Sequence, residues 1–174
     1  MHSQESPSPW FVDHATLIAP AANLLDLACG YGRHARFFAE RGARVTAVDR
    51  DAAALLSLAM VPNVATECRD IEGVAWPYAA ETFDAMIVCN YLWRPTFASL
   101  LATIKPGGVL LYETFMDGNE RYGKPSRPDF LLRSNELVTL TRDAFRVVAY
   151  EEGDEFDAVG RPFAVKQKIA AIKR

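Results

Sequence analysis

Asp26, Gly30, Gly32 and Asp49 have the types and spacing to hold a nucleoside that carries a charged tail. Gly30 and Gly32 remove the Cβ atom where the chain must turn, so a ligand can lie against bare backbone. Asp26 falls inside the end of an apolar run, Asn23-Leu-Leu-Asp26-Leu-Ala28-Cys29, where a carboxylate is costly unless a cation or hydrogen-bond donors meet it. Asp49 closes a second apolar run, Ala43-Arg-Val-Thr-Ala-Val-Asp49-Arg50, and its two oxygens can accept both hydroxyls of a ribose. An apolar run, a glycine turn, a helical stretch and a second apolar run must position these groups, which is a cofactor-binding βαβ unit.

Two cofactors compete for such a unit. Gly30-Tyr31-Gly32-Arg-His-Ala35 satisfies G-x-G-x-x-A and Asp49 lies 19 residues beyond Gly30, so the dinucleotide fingerprint is formally met. Asp26 decides between them. A carboxylate at the mouth of the first strand repels a pyrophosphate and attracts the ammonium of a methionine moiety, which favours S-adenosylmethionine over NAD.

Asp26-Leu-Ala28-Cys29-Gly30-Tyr31-Gly32, with Asp49, resembles the first two motifs of class I S-adenosylmethionine-dependent methyltransferases. The likeness extends over most of the chain and is greatest to small, minimal members, including the tellurite-resistance TehB-like group. Ala28 departs from the pattern, since many relatives carry glycine there; alanine is small, and little effect is expected. The resemblance implies an α/β fold, a Rossmann-like, mostly parallel sheet with helices on both faces and an antiparallel C-terminal strand. It also implies that Asp70, after the third strand, accepts from the adenine amino group while Ile71 packs on the base. With the loop residues Ala28, Cys29 and Tyr31, and with Arg50, Cys89, Asn90 and Tyr91, these complete the expected cofactor set.

The totals narrow the partners. The 174 residues are expected to form one domain, 1–174, with residues 1–9 mobile. A formal charge of −3 and a pI near 5.6 give no broad electrostatic footprint for nucleic acid, so a small-molecule substrate is expected. No apolar run approaches the roughly 20 residues needed to cross a bilayer, and the first residues lack a basic-then-apolar signal, so a cytoplasmic location is expected. Cys29, Cys68 and Cys89 show neither metal spacing nor a disulfide framework; each falls at the end of an expected strand, where all three would ring one pocket or fill tight packing sites. Composition is silent on oligomeric state.

The remaining elements follow in order. Trp10 to Ile18 is an apolar stretch suited to a helix over the cofactor mouth or to core packing, and Trp10 is a candidate substrate contact. Residues 33–41 form a helix stopped by Gly42, and Asp51 caps the next one, with Leu55, Leu56, Leu58 and Met60 expected inward. Val64 to Cys68, Phe83 to Cys89 and Val109 to Phe115 read as strands, with a structural Asp84. Phe97, Leu100, Leu101 and Ile104 repeat at helical spacing between the last two. Asn90-Tyr91-Leu-Trp93-Arg94 follows the fourth strand, where a parallel sheet presents its ligands, so Trp93 and Arg94 join the substrate candidates. Residues 116–132 form a long polar insertion, expected on the substrate side, in which Tyr122 and Arg127 could contact an anionic acceptor. Ser134 caps a last helix. Phe145 to Tyr150 and Phe163 to Ile172 then form a hairpin across the acidic residues 151–157, with Lys166 and Lys168 on its solvent face.

Methyl transfer from a sulfonium requires alignment more than covalent help. Where the nucleophile must lose a proton, Tyr91 and Glu113 are the expected bases.

Overall fold

Alternation along the strands decides which residues face which helices, because successive side chains of a pleated strand point to opposite faces. In the computed structural model, residues 6–73 and 75–174 are described. Seven strands join one sheet: β1 Asn23–Leu27, β2 Arg44–Asp49, β3 Val64–Cys68, β4 Phe83–Cys89, β5 Ile104–Phe115, β6 Phe145–Phe156 and β7 Pro162–Lys173. Their order is β3-β2-β1-β4-β5-β7-β6; β7 lies antiparallel between β5 and β6, and the pairings among β1 to β5 are parallel. The order departs from the 3-2-1-4-5-6 arrangement of dinucleotide-binding sheets through that inserted strand.

Helices cover both faces. On one side α1 Pro9–Asp13, α2 Arg33–Glu40 and α3 Ala52–Leu56 bury Phe11, Phe38 and Leu55 against Leu24, Ala47, Ile87 and Leu111. On the other, α4 Phe97–Thr103 and α5 Glu136–Thr141 bury Phe97, Leu100 and Leu137 against Leu25, Leu27, Met86, Val88 and Leu110. The even-numbered positions of β1 and the odd-numbered ones of β4 and β5 thus share the α1–α3 face. Asp26, Cys89 and Glu113 have that parity.

The anchors of the frame are local. Asp51 accepts from the backbone N–H groups of Ala53 and Ala54, a conventional N-cap. Asp84 accepts from Lys105 Nζ at 2.7 Å and from the Asn23 N–H at 2.8 Å, tying the starts of β1, β4 and β5, the structural role expected of it.

Several expectations are corrected. α3 ends at Leu56, so Leu58 is buried but Leu56 and Met60 stand in solvent; five residues make too short a helix to carry the stripe further. Ser134 does not cap α5: its hydroxyl donates to Glu152 at 2.6 Å and Asn135 takes the N-cap position in a left-handed conformation. The acidic residues 151–156 are strand, and the hairpin turns only at 157–161, because β7 offers partners in unbroken register from Lys168 to Ala164 and, after one shift, pairs Pro162 with Phe156. Lys166 and Lys168 are not on an open face. They share it with Trp10 and Glu113, and Lys166 is buried. The expected mobility of residues 1–9 lies partly outside the described residues; within them, Ser8 is buried.

Candidate functional site

The carboxyl ends of β1 and β4, the glycine turn and the first residues of α2 enclose a cleft of about 940 Å³. Asp26, Ala28, Cys29, Gly30, Tyr31 and Gly32 line it from the β1 side, Cys89 and Asn90 from the β4 side, and Arg33 and His34 from α2. Ser6 and Pro7 close one wall. At the turn, the Gly32 N–H donates to the Cys29 carbonyl at 2.9 Å, and Gly32, at φ 74°, becomes the N-cap of α2.

Asp26 is the electrostatic singularity of the cleft. It is 1% exposed, and its Oδ2 has no hydrogen-bond partner. Burial, reinforced by the nearby Asp49 carboxylate, pushes its carboxyl up to about 8, against the opposing Ala35 N–H and Arg33 guanidinium. A buried, unsatisfied carboxyl oxygen is expensive in a native structure, and it stands where a cation can be received. Burial raises both thiols facing the cleft, Cys89 to about 12, so neither is a thiolate at neutral pH.

Asp49 accepts from the Gly30 N–H at 2.8 Å with one oxygen and from the Asp51 N–H at 2.9 Å with the other, which fixes its plane beside the turn. Asp70 follows β3, held by the Glu72 N–H at 2.9 Å, with the Arg69 N–H bonded to the Asp49 carbonyl at 2.9 Å. The three carboxylates therefore stand along one edge of the sheet, Asp26 inside the cleft and Asp49 bonded to its rim. Asp49, Arg50, Asp70, Ile71 and Tyr91 lie outside the enclosed part. Cys68 also stands apart, its thiol 3.7 Å from the Arg50 carbonyl, so two cysteines and not three face the cleft.

Ala28 sits at φ 55°, the left-handed region in which an L residue carries a penalty of about 1–2 kcal/mol. That conformation explains the glycine of the resembling motif and corrects the expectation of little effect. Ala28→Gly is expected to stabilise the fold by about 0.5–1 kcal/mol once glycine's greater unfolded-state freedom is subtracted. Urea unfolding checks it through a higher midpoint at unchanged slope.

The expected bases are poorly placed for that task. Burial alone would raise the Glu113 carboxyl, but Lys166 Nζ at 2.8 Å from Oε1 and the Ser8 hydroxyl at 2.5 Å from Oε2 hold it below its ordinary range. Tyr91 points toward the loop after β3: burial, then the Glu72 and Asp70 carboxylates, push its phenol up, and its oxygen is buried without a closed hydrogen bond.

None of the five substrate candidates lines the cleft. Trp10 is buried in the α1–α3 core, its indole N–H donating to the Ile169 carbonyl at 3.4 Å. Trp93 begins the short turn 94–96 and accepts from Thr96 through its carbonyl. Tyr122 donates to Asp154 at 3.2 Å, and Arg127 pairs with Asp129 in solvent. Arg94 is a clamp. It donates twice to Glu136, at 2.6 and 2.8 Å, and to the carbonyls of Asp129 and Leu131 at 2.9 and 2.7 Å. The insertion 116–132 is pinned at its base as well, by the Asp117 N–H to Leu132 carbonyl bond at 2.8 Å. Arg94→Met is expected to raise hydrogen exchange across residues 128–132 by about tenfold or more, leaving β1 and β4 protected; mass spectrometry of exchanged peptides measures both.

Ser8, His34 and Lys166 are the partners that reading by sequence missed. The available signal was parity: Lys166 and Lys168 alternate with Val165, Gln167 and Ile169 on a strand paired with β5, on Glu113's side of the sheet.

The sheet order, with helices on both faces, is that of the class I methyltransferase fold, and the glycine turn and the series of strand-end acids agree with it. Residues 24–108, from β1 into β5, match the family model described as a methyltransferase domain. Among curated proteins, the chain is similar to malonyl-[acyl-carrier protein] O-methyltransferases of Salmonella typhimurium (34% identity over 111 residues) and Serratia marcescens (38% over 106). The matches cover 56% and 58% of this chain and 41% of each relative, so the likeness spans less than half of those proteins. Among solved structures, TehB from Haemophilus influenzae superposes with a TM-score of 0.78 at 23% identity, covering 97% of this chain and 63% of that one. The N-methyltransferase NodS from Bradyrhizobium japonicum gives 0.68 at 17%, covering 95% and 97%. At those identities the structural likeness concerns the fold.

Among the described residues, no helix is long and apolar enough to cross a membrane, and no cluster of acids, histidines and cysteines could hold a metal ion.

Proposed function

We propose that the chain transfers a methyl group from S-adenosylmethionine to a small-molecule acceptor by in-line displacement. The observation that carries this reading is the unpartnered Oδ2 of Asp26 on the wall of a glycine-lined cleft, a place made for a cationic tail. When bound, the cofactor supplies an electrophilic methyl group on a sulfonium sulfur.

This chain's residues would do the rest. Asp26 holds the ammonium of the amino-acid tail and Arg33 faces its carboxylate. The bare backbone at Gly30 admits the ligand, with Ala28, Cys29, Tyr31 and Gly32 shaping the turn. Asp49 with Arg50 takes the ribose, Asp70 the adenine amino group and Ile71 the face of the base. Cys89 and Asn90 flank the end from which the methyl group departs.

The acceptor we propose arrives already ionised. Glu113 is held by a lysine and a hydroxyl, and the Tyr91 phenol is pushed upward, so both expected bases are ill suited to remove a proton. A carboxylate or a soft anion needs none removed. The relatives named for O-methylation of malonyl-[acyl-carrier protein] put a carboxylate first among acceptors to try.

Calorimetry with S-adenosylmethionine, S-adenosylhomocysteine and NADH is the direct test. Binding of the first two without the third is expected; tight NADH binding with neither of the others would overturn the reading. Turnover against carboxylates, thiols and oxyanions, with amines and phenols as contrasts, then tests the acceptor class.

A further inference from the structure

Ser8 is joined to the rest of the protein by two buried hydrogen bonds, and neither is made within its own segment. Its backbone N–H donates to His34 Nε2 at 3.1 Å, and its hydroxyl donates to Glu113 Oε2 at 2.5 Å. The other Glu113 oxygen accepts from Lys166 Nζ at 2.8 Å, so one carboxylate from β5 gathers a lysine from β7 and a serine from the N-terminal segment. All four side chains are buried. Burial and the neighbouring Arg33 press the His34 imidazole down to about 3, which keeps it neutral and its Nε2 free to accept.

The network has a consequence for the cleft. Ser6 and Pro7, immediately before the anchored serine, line it together with Asp26, Gly30, Cys89 and Asn90. The Ser6 carbonyl accepts from Arg33 at 3.4 Å, and Arg33 also donates to the Cys89 thiol at 3.4 Å. Just after it, the Phe11 ring packs against His34 at a tilt, with centroids 4.5 Å apart, and Trp10 bonds to Ile169. A segment fixed on both sides of Ser8 is thereby held as a wall on the cleft. The charged pair that holds it sits on the sheet behind the cleft, where the Cys89 thiol lies 3.7 Å from Glu113 Oε1.

We infer that Glu113 is a positioning residue: with Lys166 and His34 it fixes Ser6–Ser8 as the wall that retains the cofactor. This rests on the cofactor reading above and adds a specific task for a carboxylate otherwise taken for a base. Its parity on β5 directs it beneath the N-terminal segment, and no proton leaves it during turnover.

The test uses the full chain with S-adenosylhomocysteine as probe. The variants are Ser8→Ala and Glu113→Gln, with Ser8→Thr as the conservative rescue, since threonine keeps the hydroxyl. Two quantities are read: the dissociation rate of S-adenosylhomocysteine by stopped flow, and hydrogen exchange of residues 7–12 in the ligand-free protein. Loss of one buried hydrogen bond to a charged group is expected to speed dissociation by about tenfold in Ser8→Ala and Glu113→Gln, with faster exchange in 7–12, and Ser8→Thr is expected to restore both. Dissociation unchanged in both variants, while exchange in 7–12 rises or the urea midpoint falls, overturns the inference and leaves the network a merely structural tie. Failure of the unaltered protein to bind the probe overturns the cofactor reading instead, and is told apart because exchange in 7–12 still reports the docked segment.

Discussion

Asp26→Asn is expected to make the ligand-free protein more resistant to urea at pH 8 while removing most of its affinity for S-adenosylhomocysteine. The two effects have opposite signs because one carboxyl causes both. In the folded state burial holds the Asp26 carboxyl up near 8, while its ordinary value is 3.8. A group whose pKa is raised by folding keeps its proton in the folded chain and loses it in the unfolded one. Its contribution to stability is therefore full below about pH 4 and is lost as the pH rises toward 8. Asparagine has nearly the same shape and cannot ionise, so its advantage grows across that window; urea midpoints at pH 4, 6 and 8 measure it. On the binding side, leaving a buried cationic partner without its counter-charge costs about 2–5 kcal/mol, which is at least about thirtyfold in dissociation constant. The same linkage predicts that cofactor binding near pH 7 expels close to one proton, because the ammonium stabilises the ionised carboxylate. Calorimetry in buffers of different ionisation enthalpy counts it. An Asp26→Asn variant that binds the probe as well as the parent, with the same pH profile of stability, would remove the basis for the cofactor reading.

The second large effect is a contrast between two glycines that look equivalent on paper. A Cβ added at Gly32 would lie 2.4 Å from Leu58 Cδ1 and 2.8 Å from its Cγ, at φ 74°. Leu58 is fully buried in the core beneath α2 and α3, so it has nowhere to go. Gly32→Ala therefore combines the left-handed penalty with overpacking, and a loss of about 2–5 kcal/mol is expected, measured by urea unfolding. Gly30 has a similar φ of 54° but no heavy atom within 4 Å of the added Cβ, because its open side faces the cleft. Gly30→Ala is expected to cost only about 1–2 kcal/mol of stability while weakening S-adenosylhomocysteine binding by more than about tenfold. The expected contrast is that one glycine serves the core and the other the ligand. A result in which Gly32→Ala left the urea midpoint unmoved would show that Leu58 moves aside freely.

The legibility of this chain divides along a physical line. Residues 23–50 declared their structure because each requirement there is local: an apolar run long enough for a strand, glycines where φ turns positive, an acid at a strand end. The Asp51 cap and the Gly42 stop are local in the same sense, and they stand where the residues suggested. Apart from Leu56 and Met60, where α3 stopped short, and the backbone of Ala28, what was misread involved partners distant in sequence. Ser134 looked like a cap but bonds to Glu152 across the fold, and Arg94 looked like a substrate contact but clamps Glu136, Asp129 and Leu131.

Glu113, Lys166 and Ser8 show the limit most clearly. By itself the sequence determined that two lysines alternate with Val165, Gln167 and Ile169 on the last strand, and that an acid lies near the end of a buried one. Only the tertiary structure decided that the N-terminal helix covers that face, so that a lysine readable as solvent-facing is buried and paired with the acid readable as a base. The reason is that strand alternation assigns side chains to two faces, whereas which face is wet depends on the element packed over it, and that element here lies 105 residues away from its anchor.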